Sequence, residues 1–315
     1  MAPAAVLALF ALAARAATLP EQRGAASVAP RDIRLPTGFT TTLFDDDFSS
    51  QKAGALPFAT KWTVDLGTSY PGGPARWGNN EAQTYTADRT NLAVSAQGAL
   101  TITPQSAGGR WTSARIETTA AHDFACAAGR RLRVEATLRL GDAPAASQAG
   151  IWHAFWMLGA AFRGSYGSWP SAGEIDVMET LNGLPTAWHT VHCGPTASGG
   201  PCHETNGIGG QSPFSRGVWH TVAVEIDRTN PGGDWRGEKI EWVVDDRIVA
   251  NVTGNTVGDA TAWAALARSK KFLLLNTAVG GSFPDAILGG KSPNAQTKGG
   301  AGAAMEVRYV AVFST

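Results

Sequence analysis

The sequence has no excess of either charge: its 315 residues carry 26 Lys and Arg against 26 Asp and Glu. Without a strong field the chain is expected to recruit neither nucleic acid nor an anionic membrane, and a neutral substrate suits it. Helix signals are equally scarce. Caps and 3.6-residue apolar patterns are rare, whereas 37 glycines and 17 prolines supply many turns, so an all-β domain is expected. Long apolar runs are missing except at the start, where Met1 to Ala17 is rich in Ala, Leu, Val and Phe and ends in small residues. That run breaks at Arg15, short of the ~20 residues a bilayer span requires. A membrane anchor is therefore the weaker reading, and residues 1–18 are expected to be a secretory signal that lacks a basic leader. Residues 19–38, with Glu21, Arg23, Arg31 and Arg34 among Ala and Pro, read as a pro-segment or loose lead-in. No linker or shift in composition divides residues 39–315. They are expected to form one domain, secreted and extracellular, acting as a monomer.

Cysteine is nearly absent, at three residues. Cys193 and Cys202 flank a Gly/Ser/Pro loop and can close a short disulfide in an oxidising compartment, leaving Cys126 unpaired. The competing reading is zinc, with ligands drawn from His189, His192, Cys193, Cys202 and His203, but their spacing matches no standard zinc pattern. Asn251-Val252-Thr253 is the one acceptor for N-glycosylation.

What is present is a cluster of acids, Glu174-Ile175-Asp176-Val177-Met178-Glu179. A strand sends alternate side chains to opposite faces, so Glu174 and Asp176 share one face and Ile175 and Val177 the other. Glu179 has the wrong parity unless one extra residue is absorbed as a β-bulge near Met178, which returns it to the face of Glu174. The two glutamates are then about four strand positions apart, roughly 13 Å along the backbone at ~3.3 Å per residue. Their long side chains, leaning together over the shorter Asp176, can approach the ~5–5.5 Å carboxyl separation used by retaining glycosidases. A solvated sheet edge or a calcium loop is the bland alternative. An edge would show Lys or mixed charge and a calcium loop Gly and Asn, whereas Ile, Val and Met indicate a strand lying on a core.

Further strands are expected at Leu92–Val94, Leu100–Ile102, Arg131–Leu140, Ile151–Leu158, Thr190–His192, Trp219–Ile226, Lys239–Val244, Phe272–Asn276 and Met305–Phe313, with a short helix near Ala260–Ser269. In Ile151–Leu158 alternation places Trp152, Ala154 and Trp156 on one face and His153, Phe155 and Met157 on the other, one of them core. Eleven tryptophans are many, and indole stacks well on the apolar faces of sugar rings. Trp62, Trp219, Trp242 and Trp263 are nonetheless expected to be core or packing residues rather than ligands.

Several ordered blocks accompany the acids: Phe44-Asp45-Asp46-Asp47-Phe48, Trp77 to Thr86 (WGNNEAQTYT), Ser113-Ala114-Arg115-Ile116, Gly150 to Gly159 (GIWHAFWMLG), Trp169-Pro170-Ser171-Ala172-Gly173, Ile240 to Asp245 (IEWVVD) and Leu275 to Gly281 (LNTAVGG). Together they resemble family 16 glycoside hydrolases of the laminarinase-like branch, over most of the chain after residue 44. The resemblance implies a concanavalin-like jelly-roll sandwich of two curved antiparallel sheets, with a β-glucan polysaccharide or oligosaccharide in a groove across one of them. By position Glu174 matches the family nucleophile, Asp176 the residue that assists it and Glu179 the general acid/base. The expected activity is endo-acting hydrolysis of 1,3- or mixed 1,3/1,4-linked β-glucan with retention, requiring no cofactor. The extra residue between Asp176 and Glu179 is itself a mark of the laminarinase branch.

The same resemblance implies Trp169 as a stacking platform, His192 and Asn80 as partners for sugar hydroxyls and Arg115 as a further polar contact. Competing readings are a salt bridge from Arg115 to Glu117 or another acid, a purely structural His192, and Asn79 in place of Asn80. Three departures from the family pattern stand out. His153 occupies a usual proline position and is expected to alter the edge of the groove. Arg308 stands where an Asp commonly contributes to calcium binding, which argues against a structural calcium. The Cys193–Cys202 loop is an insertion. A transglycosylase using the same three acids, or a glucan-binding lectin on the same sandwich, are the alternatives, and intact acids disfavour the lectin.

Overall fold

Short, alternately buried strands build the molecule in layers, and the computed structural model describes them over residues 33–315. The expected signal segment, and the lead-in as far as residue 32, lie outside the described residues. Ile33 packs beside Phe39, Ala311 and Phe313.

Two large antiparallel sheets form the expected jelly-roll sandwich. One runs in the spatial order Arg247–Thr253, Lys239–Val244, Trp219–Asp227, Arg131–Leu140, Met305–Ser314, Leu100–Ile102, Leu92–Val94, with Thr41–Asp46 also paired to Met305–Ser314. The other runs Ile208–Pro213, Thr186–His192, Glu174–Leu181, Ile151–Gly159, Lys271–Val279, Arg115–Thr118, Trp62–Asp65. The expected strands are all present, several of them longer, and the short helix spans Ala260–Ala267. A small third sheet of Gln83–Tyr85, Arg110–Ser113 and Gln105–Ala107 was not foreseen. Among the described residues no helix is long and apolar enough to cross a membrane.

One continuous core fills the space between the large sheets. Phe155, Met157, Ile175, Val177 and Met178 from one sheet meet Val134, Leu138, Val222, Val224 and Trp242 from the other. Trp62, Trp242 and Trp263 are buried as expected. Trp219 is a packing residue outside the core, the other arrangement expected for it. Its strand points Val222, Val224 and Ile226 inward, so position 219 has outward parity, and the indole lies half-buried beneath the guanidinium groups of Arg308 and Arg139, 4.0 and 4.8 Å from its ring. His153 corrects an expectation. It faces inward, buried, with Nε2 3.0 Å from the Ala303 carbonyl and Nδ1 3.2 Å from the Thr180 hydroxyl, so it does not border the acidic face. Cys193 and Cys202 form a disulfide, which removes the zinc reading, while Cys126 is free and buried. Asn251 is exposed on its strand.

Entry into the acidic strand depends on Gly173. It adopts φ +75°, and a Cβ there would lie 2.5 Å from the backbone oxygen of Ala265, so any side chain meets both a conformational penalty and an immovable wall. Gly173→Ala is expected to cost about 2 kcal/mol or more and, at ~2–4 °C per kcal/mol, to lower the melting temperature by several degrees. Circular dichroism on heating measures this, and an unchanged melting temperature would contradict the close packing of residues 173 and 265.

Candidate active site

The register around the acids contains the bulge that the parity of Glu179 requires. Against Thr186–His192, Asp176 faces Thr190 and Glu179 faces Trp188, so three steps on the acidic strand match two on its neighbour. Against Ile151–Gly159, Trp156 faces Asp176 and the adjacent Phe155 faces Met178. Val177 and Met178 are consecutive yet both completely buried in the core. Inserting the second of them inward turns Glu179 back to the side of Glu174 and Asp176. The backbone is held at this irregularity from the opposite sheet, where Trp242 Nε1 donates to the Asp176 carbonyl at 2.7 Å.

Each acid has its own surroundings. Glu174 stands opposite His192 in the ladder and accepts a hydrogen bond from the Trp169 side chain. Glu179 accepts from Trp152 Nε1 at 2.9 Å. Asp176 is 4 % exposed, with Oδ2 3.5 Å from His192 Nε2. Burial is the main reason that all three carboxyls titrate above their ordinary range. Asp176 is raised well above its ordinary range, with Glu179, Glu174 and Glu204 adding repulsion to the effect of burial. In Glu174 the nearby His192, the Trp169 hydrogen bond and Arg115 oppose the effect of burial. Glu179 is pushed up to about 7 by burial and by Glu174, against the pull of His192 and Trp152. A carboxyl that titrates near neutrality can both donate and accept a proton under ordinary conditions.

The expected binding residues are distributed unevenly. Trp169 lies beside His192, ring centres 5.6 Å apart, and both flank Glu174. Arg115 is buried and bonded: Nε meets Asp65 at 3.0 Å, Nη2 meets the Tyr70 hydroxyl at 3.0 Å, and the rings of Trp77, Trp156 and Tyr70 surround the guanidinium at 4.6 to 5.2 Å. The competing reading of a salt bridge to an acid therefore describes it, with Asp65 as the acid, and its positive charge acts on Glu174 through space. Asn80 is exposed and donates to Ser282 Oγ at 3.1 Å, whereas the Asn79 side chain bonds the buried Glu81.

Four residues in the surroundings had not been singled out. Trp188 and Phe283 extend an aromatic patch from Trp152 at the Glu179 end, with Phe283 5.8 Å from Trp152 and 5.9 Å from Trp188. Glu81 is held by Gln83 and Tyr85 and linked through Tyr85 and Asn276 to Trp156. Glu204, two residues past the disulfide, bonds His192 Nδ1 at 2.7 Å. The outward parity of Trp152 and Asp176's register with Thr190 could have located Trp188. Nothing local in the sequence announces Glu204. Among the described residues, the group able to share a cation is Glu174, Asp176 and His192, whose ligand atoms lie within 4.8 Å of one another. These are the same groups that acid–base chemistry would use.

The chain is similar to several known proteins. Residues 79–216 match a family model described as XgeA-like, catalytic GH16 domain. The crystal structure of an endo-1,3-beta-glucanase from Streptomyces sioyaensis is 41% identical and superposes with a TM-score of 0.83, covering 90% of this chain and 99% of that one. A beta-glucanase from Rhodothermus marinus is 32% identical over 236 residues, 72% of each chain. A glucan endo-1,3-beta-glucosidase A1 from Niallia circulans is 29% identical over 86% of this chain, which spans only 37% of that longer protein.

The raised carboxyl of Glu179 makes a prediction about stability. Its folded pKa of about 7 lies above the ordinary 4.5, so the folded protein holds a proton that the unfolded chain releases, and stability falls as pH rises from about 4.5 to about 7. At 1.36 kcal/mol per unit the loss is about 3 kcal/mol, complete above pH 7. Glu179→Gln is expected to be more stable than the parent at pH 8, with the gap closing toward pH 4. Urea unfolding at the two pH values decides it, and equal stability at pH 8 would refute the buried-charge account.

Proposed function

Because the chain belongs to glycoside hydrolase family 16, we propose that it is a secreted, monomeric, endo-acting β-glucanase that cleaves 1,3- or mixed 1,3/1,4-linked β-glucan with retention. The observation that carries this reading is the bulge at Val177–Met178, which gathers Glu174, Asp176 and Glu179 on one face. Their environments suggest the division of labour. Glu174, opposite His192 and within the field of Arg115, is the nucleophile that attacks the anomeric carbon. Glu179, protonated below about pH 7, donates its proton to the departing glycosidic oxygen. In the second step the ionised Glu179 takes a proton from water, which attacks the anomeric carbon and releases Glu174. Asp176, whose carboxyl burial and the neighbouring acids push well above its ordinary range, hydrogen-bonds the ionised glutamate when it is protonated and keeps two adjacent negative charges from coexisting.

Aromatic side chains at both ends of the row, Trp169 beside Glu174 and Trp152, Trp188 and Phe283 beside Glu179, suit the flat faces of successive glucosyl rings. The names of two of the relatives, from Niallia circulans and Streptomyces sioyaensis, support a 1,3-linked glucan. The disulfide supports an extracellular location, because such bonds persist in oxidising compartments. The reading requires no cofactor.

Laminarin, lichenan, xyloglucan and agarose offered to the purified protein, with reducing ends and anomeric configuration followed by NMR, test the proposal. Laminarin or lichenan should yield the β-anomer first, and an inverted product would overturn the mechanism. Products longer than the substrate would identify a transglycosylase, and binding without cleavage a lectin. Glu174→Gln and Glu179→Gln should each lower kcat by about 10²–10⁴-fold, with Asp176→Asn costing less. For the parent, kcat/KM should decline as pH rises through about 7, where Glu179 loses the proton it must donate.

A further inference from the structure

After the strand Thr186–His192 a loop carries the chain away from the acids and returns it to them. The disulfide holds Cys202 against Cys193, Cα atoms 5.3 Å apart, immediately after the strand Thr186–His192 ends. Two residues beyond Cys202, Glu204 turns inward, its side chain wholly buried. One carboxylate oxygen lies 2.7 Å from Nδ1 of His192, and the other accepts the backbone N–H of Cys193 at 2.8 Å. Glu204 thus grips two consecutive residues at once. A carboxylate accepts rather than donates, so the bond to Glu204 places the hydrogen on Nδ1 and turns Nε2 toward Asp176 Oδ2, 3.5 Å away. Trp169 stands beside the same ring.

We propose that Glu204 is a positioning residue which, held close to His192 by the Cys193–Cys202 disulfide just before it, fixes the tautomer and ring plane of His192 so that Nε2 addresses the acids on the neighbouring strand. The proposal rests on the assignment of Glu174, Asp176 and Glu179 as the reacting groups. Its logic is that of an outer carboxylate orienting an imidazole whose other nitrogen works on the chemistry. Without Glu204 the ring can flip by half a turn and exchange its nitrogens, and the buried imidazole loses the anion that best supports a positive charge. The groups facing His192 are Glu174, Asp176 and Glu179 from the acidic strand and Glu204 from the loop. Burial opposes protonation of His192, but the hydrogen bond to Glu204 and the charges of Glu174, Glu204 and Glu179 outweigh it, leaving the ring above its ordinary range. As a cation His192 in turn favours the ionised forms of Glu174 and Glu179.

The test uses the full chain, ¹⁵N-labelled at histidine. In Glu204→Gln, NMR should find the His192 titration midpoint lowered by about one pH unit or more and its Nδ1–H tautomer no longer dominant, with Glu204→Asp shifted in the same direction by less. These readouts do not require the protein to cleave a glucan, so an inactive parent would sink the proposed function and leave the positioning role standing. On laminarin, Glu204→Gln should lower kcat/KM about tenfold or more, yet add no further loss in a His192→Gln background. An unchanged His192 midpoint and tautomer, or an equal loss of activity with and without His192, would overturn the proposal and reduce Glu204 to a fastening of the loop.

Discussion

One inserted residue in the strand Glu174–Leu181 determines where the charges of the site stand. A regular strand would point Glu179 into the core beside Ile175, an uncompensated carboxylate among apolar groups. With Val177 and Met178 both turned inward, the strand presents three acids to one side and three apolar side chains to the other. A bulge interrupts the ladder and leaves backbone groups in need of partners. Here the opposite sheet intervenes, the Trp242 indole reaching across the core to the Asp176 carbonyl. The core that stabilises the sandwich and the irregularity that creates the site are therefore one construction.

Chemical difference among three similar acids follows from their second neighbours. Burial raises all of them, and what separates them is the disposition of a few polar groups: His192, Trp169 and Arg115 about Glu174, Trp152 at Glu179, and mainly other carboxylates about Asp176. Arg115 shows how such a charge is kept in place. It is enclosed by Trp77, Trp156 and Tyr70 and anchored to Asp65, so its influence on Glu174 comes from a fixed position. A lysine there would carry the charge but could not stack between the rings.

Much of this was legible in the sequence because parity is a strong code. Alternation placed Ile175 and Val177 inside and Glu174 and Asp176 outside, and the misfit of Glu179 located the bulge before any coordinates. It also separated Phe155 and Met157 from Trp152 and Trp156. Parity applied more consistently would have told which of the two, core or packing, Trp219 is, and would have removed His153 from the rim of the acidic face. Elements without the code were missed. Ile208–Pro213 contains two glycines and no β-branched run after Ile208, and becomes a strand because Gly209 lies against the backbone of His189, too close for a Cβ. Glu204 was hidden for another reason: its role depends on where a disulfide and a loop conformation deliver it, and neither leaves a periodic trace.

The three crowded carboxyls have a consequence on the scale of descent. A site that buries like charges holds its parent protein below the stability its core would otherwise allow, as function and stability draw on the same side chains. A lineage of this fold released from selection for chemistry thus has a downhill first step, since neutralising one acid relieves repulsion while the Trp169, Trp152, Trp188 and Phe283 rings remain in place. Hydrolysis is the property that selection must keep restoring, whereas the aromatic surface persists unaided.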